Sequence, residues 1–262
     1  MQNEDDLQAT ARIALSCLDL TSLNETDTVA DIQRLCERAQ GPCGPVAAVC
    51  VWPRFAADAR GLLPAHIAVA AVANFPDGSA DIARAVRDTV AIVAGGAQEI
   101  DVVLPIATML ARDEAHVMGL LAEVRAACPT HQLKVILETG VLGSDDLIRR
   151  ASEISIAAGA DWLKTSTGKT AVSATPGAAR TMLDCIAEAA RHGRVVGFKA
   201  SGGIRTVADA SVYLRLYQQL LARGPADPHH FRLGASSLLD DIETVLGRTV
   251  VREARNARNN GY

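Results

Sequence analysis

The chain has 262 residues, 49% of them apolar and 3% aromatic, with a formal net charge of −4. That length allows one large core or two small ones, and the mild acidity gives no electrostatic case for nucleic acid or an anionic membrane as partner. No apolar run reaches the roughly 18 residues that a membrane-spanning helix needs.

The opening "MQNEDDLQAT" is acidic and polar, unlike a signal or transit peptide. Six cysteines (Cys17, Cys36, Cys43, Cys50, Cys128, Cys185) are scattered without CxxC spacing, which fits a reduced, cytoplasmic protein. The histidines show no HExxH or comparable ligand spacing, so no zinc site is expected. His229 and His230 are adjacent and are read as lying on opposite faces of a strand.

Eight strand-like apolar runs follow one another at a regular beat. They are "CLDLTSL" from Cys17, "VAAVCVW" from Val46, "HIAVAAVANF" from His66 and "EIDVVLP" from Glu99. Then come "LKVILET" from Leu133, "DWLKTST" from Asp161, "VVGFKASGG" from Val195 and "FRLGASS" from Phe231. Helix-period stretches lie between them. One places Ile82, Val86 and Val90 at four-residue spacing and ends at Gly95 and Gly96. Another opens with Thr175 as N-cap and Pro176 at its first position, and closes on Gly193. A third runs from Thr206 to Gly224.

Short apolar runs alternating with helices indicate parallel βαβ units. Eight such units in about 250 residues is the size of a (β/α)8 (TIM) barrel. A doubly wound sheet would commonly carry a glycine fingerprint after its first strand, and none is present. Residues 1–250 are expected to form a single α/β barrel domain with a short N-terminal helix, and 251–262 a polar, mobile tail.

Of the 26 basic residues only four are lysines: Lys134, Lys164, Lys169 and Lys199. The remaining 22 are arginines. Three of the four lysines sit inside apolar strand-like runs. Arginine stays protonated in a protein, whereas lysine can be made a neutral, nucleophilic amine. The competing interpretation is a buried lysine paired with a carboxylate for structure alone.

Barrel active sites form at the C-terminal ends of the strands. Asp19, Asp101, Lys164 and Lys199 are expected at four such ends, each flanked by apolar residues. A charge so flanked is costly unless paired. Period-two alternation puts Trp162, Lys164 and Ser166 on one side of their strand. Lys199 comes one βα unit after Lys164, so the two strands should lie about 5 Å apart. Two neighbouring ammonium groups lower the pKa of at least one. An unperturbed lysine, with a pKa of about 10.4, is almost wholly protonated at neutral pH. The pair is read as one nucleophile and one group that keeps it neutral, with Asp101 as proton-transfer partner.

"SGGIRT" and "GASSLLDDIETVLG" follow the seventh and eighth runs. Loops at those positions in a barrel, opening helices, are the usual phosphate site. Ser236 and Ser237 could equally be plain N-caps. "STGK" carries no Walker A order.

Taken in order, "LDLTSLN", "VCVWPRF", "VANFPDG", "EIDVVLP", "LKVILETG", "WLKTSTGK", "GFKASGGIRT" and "RLGASSLL" closely resemble the deoxyribose-phosphate aldolase family. The resemblance runs from about Ala14 to Leu239. It implies a class I aldolase that reversibly cleaves 2-deoxy-D-ribose 5-phosphate to acetaldehyde and D-glyceraldehyde 3-phosphate. It implies no metal or organic cofactor.

The resemblance makes Lys164 the Schiff-base lysine, Lys199 the lysine that depresses its pKa, Asp101 the acid/base carboxylate and Asp19 a supporting group. Gly168, Lys169, Gly202, Gly203, Gly234, Ser236 and Ser237 would hold the phosphate, and Thr167 a substrate hydroxyl. Tyr262 would assist proton transfer at the enamine carbon. Cys50, near the site, is read first as a small core residue. The chain departs from the familiar "GFKPAGG" and "FPHG": Ala200 and Ser201 remove a proline and add a hydroxyl, and Asp77 sits on a loop.

Two alternatives stand beside this reading. One is another Schiff-base barrel enzyme, such as a transaldolase or a fructose-bisphosphate-type aldolase. The other is a phosphosugar-binding barrel without covalent chemistry. The expected partners are a small phosphosugar and a second copy of the chain in a homo-oligomer, for preference a dimer, with no nucleic acid and no membrane.

Overall fold

Every one of the eight apolar runs folds as a strand, and the strands close on themselves in sequence order. In the computed structural model, residues 4–221 and 224–247 are described. Tyr262 and the 251–262 tail lie outside them. The strands are β1 (Leu18–Thr21), β2 (Ala48–Val51), β3 (Ala68–Ala73), β4 (Glu99–Val103), β5 (Gln132–Ile136), β6 (Trp162–Lys164), β7 (Gly197–Ser201) and β8 (Phe231–Ala235). All neighbours pair in parallel and β8 pairs with β1, giving a closed barrel. The architecture is a single (β/α)8 barrel.

Helix α1 (Glu4–Ser16) precedes the barrel, and α2 (Val29–Arg38) follows β1. The outer layer continues with α3 (Ala56–Leu62), α4 (Ile82–Ala94), α5 (Ile106–Leu110) and α6 (Glu114–Ala127). It is completed by α7 (Thr139–Leu142), α8 (Asp145–Ala157), α9 (Pro176–Arg191), α10 (Val207–Leu221) and α11, residues 238–247. Among the described residues no helix is long and apolar enough to cross a membrane.

Strand register decides which side chains enter the barrel. Asp19 stands beside Ala48 and Gly234, Val72 beside Asp101, Asp101 beside Lys134, and Lys164 beside Lys199. In parallel pairing, side chains so matched point to the same face. The alternate residues, among them Val49, Val69, Ile100, Leu133, Leu163 and Phe198, are fully buried between barrel and helices. Hydrophobic burial thus fastens the outer layer, and the inner face is left to other chemistry.

The helix signals held at α9, where the Thr175 side chain accepts from the Ala178 N–H and Pro176 opens the first turn. In α4 the expected apolar stripe is displaced. Ala85, Thr89 and Ile92 are the buried face, while Val90 is 51% exposed. Small residues let the helix approach the sheet closely, and the Thr89 hydroxyl is satisfied by the Ala85 carbonyl at 2.8 Å. His229 and His230 precede β8 in a turn, where His230 meets Asp227 at 2.9 Å. Opposite strand faces therefore do not apply to them.

Candidate active site

The charged residues on the inner face of the barrel form one continuous cluster. Lys164 closes β6, and its Nζ donates to Asp101 Oδ2 at 2.8 Å. The same oxygen accepts from Lys199 Nζ at 2.8 Å, and Asp101 Oδ1 accepts from Lys134 Nζ at 2.8 Å. Lys199 also donates to Asp19, and Lys134 to Glu99 Oε2 at 2.5 Å. Arg232 joins the far side, with Nη1 on Asp19 Oδ1 at 2.6 Å and Nη2 on Glu99 Oε1 at 2.9 Å. All seven groups are buried, Lys164 being 3% exposed.

Each charge is held by its neighbours. Burial alone would raise the Asp101 pKa, yet Lys134, Lys164 and Lys199 outweigh it and hold that carboxyl well below its ordinary range. Asp19 is likewise depressed against burial, by Lys199 first and then Arg232. Burial pulls Lys199 down, but Asp101 and Asp19 raise it above the ordinary lysine value, so it is a fixed cation. Lys134 is raised in the same way, by Asp101 and Glu99. Asp101, ionised and shared by three amines, is an acceptor in the free protein.

The expected placement at strand ends is right for Lys164 alone of the four. Asp19, Asp101 and Lys199 lie inside their strands. Apolar periodicity does not reveal where a strand stops pairing, and long lysine side chains bridge the difference. Cys50 enters the same interior from β2, with Sγ 3.9 Å from Asp101 Oδ2, and burial pushes its thiol up.

Above the cluster a cavity of about 370 Å³ opens at the C-terminal mouth. Lys164 and Lys169 line it, and of these two only Lys164 touches Asp101. Gly168, Gly202, Gly203, Gly234, Ser236 and Ser237 line the same cavity, so every candidate phosphate residue comes together around one space. Ser236 and Ser237 precede α11, whose N-terminal amides face an anion favourably. At Gly202, φ is +84° and an added Cβ would lie 2.5 Å from the Ser173 side chain. At Gly234 an added Cβ would come within 3.0 Å of Lys199 Cε.

The loop after β6 is held from beneath by Glu138. Its carboxylate accepts from the Thr167 hydroxyl and from Thr170 Oγ1 at 3.2 Å. Thr167 Oγ1 in turn accepts from the Lys169 N–H at 3.0 Å, and Lys169 Nζ donates to the Leu23 carbonyl at 2.8 Å. The Thr167 proton is therefore committed to Glu138, leaving its oxygen as an acceptor. The Ser201 hydroxyl lines the cavity and donates to the Ser166 carbonyl at 2.5 Å. Asp77 pairs with Arg84 at 2.8 Å on an exposed loop.

Three participants escape the sequence analysis, Glu99, Arg232 and Glu138, while Lys134 is singled out there without a role. Two signals were available. Glu99 stands two residues before Asp101, on the same strand face. Lys134 and Arg232 both interrupt apolar runs.

A closed barrel whose interior presents a lysine to a cavity walled by glycine and serine loops defines a class: a (β/α)8 protein equipped for amine–carbonyl chemistry on a phosphorylated substrate. The family model described as "DeoC/LacD family aldolase" matches residues 13–240, and the chain belongs to that family. A deoxyribose-phosphate aldolase of Agrobacterium fabrum is 50% identical over 239 residues, covering 90% of this chain and 91% of the relative. A Coccidioides immitis structure, provisionally identified as a deoxyribose-phosphate aldolase, is 30% identical with a TM-score of 0.75, covering 94% of this chain and 87% of that one. The deoxyribose phosphate aldolase of Aeropyrum pernix, described as tetrameric, shares the fold at 23% identity and a TM-score of 0.69, covering 92% and 97%.

Proposed function

We propose that the chain is a class I aldolase that reversibly cleaves 2-deoxy-D-ribose 5-phosphate to acetaldehyde and D-glyceraldehyde 3-phosphate through an imine on Lys164. The observation that carries this is the position of Lys164. It is the lysine that both lines the cavity and bonds to the buried carboxylate Asp101.

In the cleavage direction, neutral Lys164 attacks the aldehyde carbon of the open-chain sugar, and loss of water gives the imine. Protonated, the imine accepts the electron pair of the C2–C3 bond as the C3 hydroxyl gives up its proton. Asp101, acting through a water, takes that proton, and D-glyceraldehyde 3-phosphate departs. The remaining enamine is protonated at carbon, and hydrolysis releases acetaldehyde. Lys199 and Asp19 hold Asp101 and the local charge in place. Lys169 and the loops around Gly202, Gly203, Gly234, Ser236 and Ser237 bind the phosphate, with Gly168 giving the β6 loop its turn and Thr167 accepting from a substrate hydroxyl. Binding energy at the phosphate orients the reacting carbons.

The six cysteines, all free thiols, support a cytoplasmic setting. Assembly as a homodimer belongs to the same proposal, and light scattering on the purified chain tests it against a monomer or tetramer. The function itself is tested by a retro-aldol assay. Deoxyribose 5-phosphate should yield equal amounts of acetaldehyde and glyceraldehyde 3-phosphate, and Lys164→Arg should yield none. Turnover surviving in Lys164→Arg, which keeps the charge but forbids an imine, would overturn the assignment.

A further inference from the structure

The mechanism gives no task to Glu99, Lys134 or Arg232, yet these three complete a circuit. From Arg232 the contacts run to Asp19, to Lys199, to Asp101, to Lys134, to Glu99 and back to Arg232. Every link joins opposite charges. The ring holds three cations and three carboxylates and is neutral by itself. Lys164 hangs from it at Asp101 alone, the fourth basic group against those three carboxylates.

We propose that Glu99 and Arg232 are positioning residues for the aldol reaction, whose pairing closes this six-membered ring and leaves Lys164 the one amine of the cluster without a carboxylate of its own. This rests on the imine reading of Lys164.

Arg232 is suited to the closure. Its planar fork reaches two carboxylates at once and stays charged. Its Nε donates to the Pro228 carbonyl at 2.5 Å, and its guanidinium lies 5.3 Å from the centre of the Trp162 ring. The group is therefore fixed on every side. Neither Glu99 nor Arg232 lines the cavity, so both act through their neighbours.

The titratable groups that share the barrel interior and its mouth with Lys164 come from six of the other strands and one loop. They are Asp101 and, beyond it, Glu99 from β4, Lys134 from β5, Lys199 from β7, Asp19 from β1, Arg232 from β8 and the Cys50 thiol from β2, with Lys169 on the cavity wall. Asp19, Asp101, Lys134, Lys199 and Arg232 are each held in their charged forms by opposite charges that outweigh burial, and burial keeps Cys50 a thiol. Imine formation needs the Lys164 amine without its proton, so its rate should rise with pH along a limb that the charge on the ring displaces.

The test reads that limb in two ways: kcat/KM for deoxyribose 5-phosphate cleavage, and the rate at which cyanoborohydride traps acetaldehyde on Lys164. Arg232→Gln leaves the ring one charge negative and should move the limb up by about one pH unit, the scale of removing a unit charge at an effective dielectric of about 20. Glu99→Gln leaves it one charge positive and should move the limb down by a similar amount. The double variant is neutral again and should return the limb towards its original place. A merely structural pair would slow all three variants without opposite shifts.

Shifts of the same sign, no shift in either single variant, or a double variant that fails to restore the limb would each overturn the ring. Should Arg232→Gln not fold, the downward shift of Glu99→Gln and its reversal in the double variant still decide. An unaltered chain that traps nothing on Lys164 would defeat the imine reading instead, whatever the variants do.

Discussion

The two halves of the barrel interior are built on opposite plans. From β2 and β3 the inward side chains are Ala48, Cys50, Ala68, Ala70 and Val72, all small or medium and none charged. From β4 round to β1 they include Glu99, Asp101, Lys134, Lys164, Lys199, Arg232 and Asp19. The difference is one of volume as well as charge. Lysine and arginine are long, and the small staves opposite provide the width in which they can extend and pair. An apolar filling of the same space would serve stability at least as well, because ion pairs lose much of their attraction to desolvation. The charged half is accounted for by chemistry, and the small half by the room that chemistry needs.

Several changes would break or sharpen this contrast. Asp101→Asn has the largest expected effect, because one carboxylate serves Lys134, Lys164 and Lys199. Turnover should fall by about 10²–10⁴-fold, as for loss of a proton-transfer group. A change of less than threefold would remove Asp101 from the mechanism. Next, Ala70→Leu fills the small side. Overpacking should cost about 1–3 kcal/mol in urea unfolding and lower kcat by displacing the amines opposite. A variant with native stability and turnover would show that the small staves are not there to give room.

The charged half also sets the pH dependence of stability. Asp19 and Asp101 lie below their ordinary values in the folded state. Their contribution is full above the unfolded value of about 4 and is lost as pH falls through the folded ones. Lys134 and Lys199 lie above theirs, so their contribution is full below about pH 10.4 and is lost as pH rises through the folded values. The share of the urea midpoint that these four groups control should therefore be level from about pH 5 to 9 and drop at both extremes. A steep slope across the middle that persists in Lys164→Met would mean that one of these four is uncharged there. The smallest effect is expected for Ser201→Ala, which removes the hydroxyl bonded to the Ser166 carbonyl. Its cost should be about 0.5–1.5 kcal/mol, read as a KM change of no more than about ten-fold.

The eight strands were legible because each is a short apolar run with a helix-period stretch after it. Asp19, Asp101, Lys164 and Lys199 were legible because a charge amid large apolar residues calls for a reason. Arg232 was hidden by the same habit that exposed the lysines. Among 22 arginines it looks ordinary, and others are ordinary: Arg60 clamps the carbonyls of Leu63, Pro64 and Ile67, and Arg125 pairs with Asp161. Glu99 follows the polar Gln98 and reads as the edge of a strand. Lys134 stood out, but its partner depends on the register that sets it beside Asp101, and register is a property of the closed sheet. The buried face of α4 was missed because valine outranks alanine in any apolar pattern, whereas close packing against the barrel selects small residues.

The central claim is that Lys164 alone forms the covalent intermediate. Borohydride reduction of the unaltered chain with deoxyribose 5-phosphate at neutral pH, followed by peptide mass spectrometry, tests it directly. The account predicts a reduced adduct on Lys164, with Lys134, Lys169 and Lys199 unmodified. An adduct on any of those three in its place, or none while glyceraldehyde 3-phosphate is still released, would contradict it.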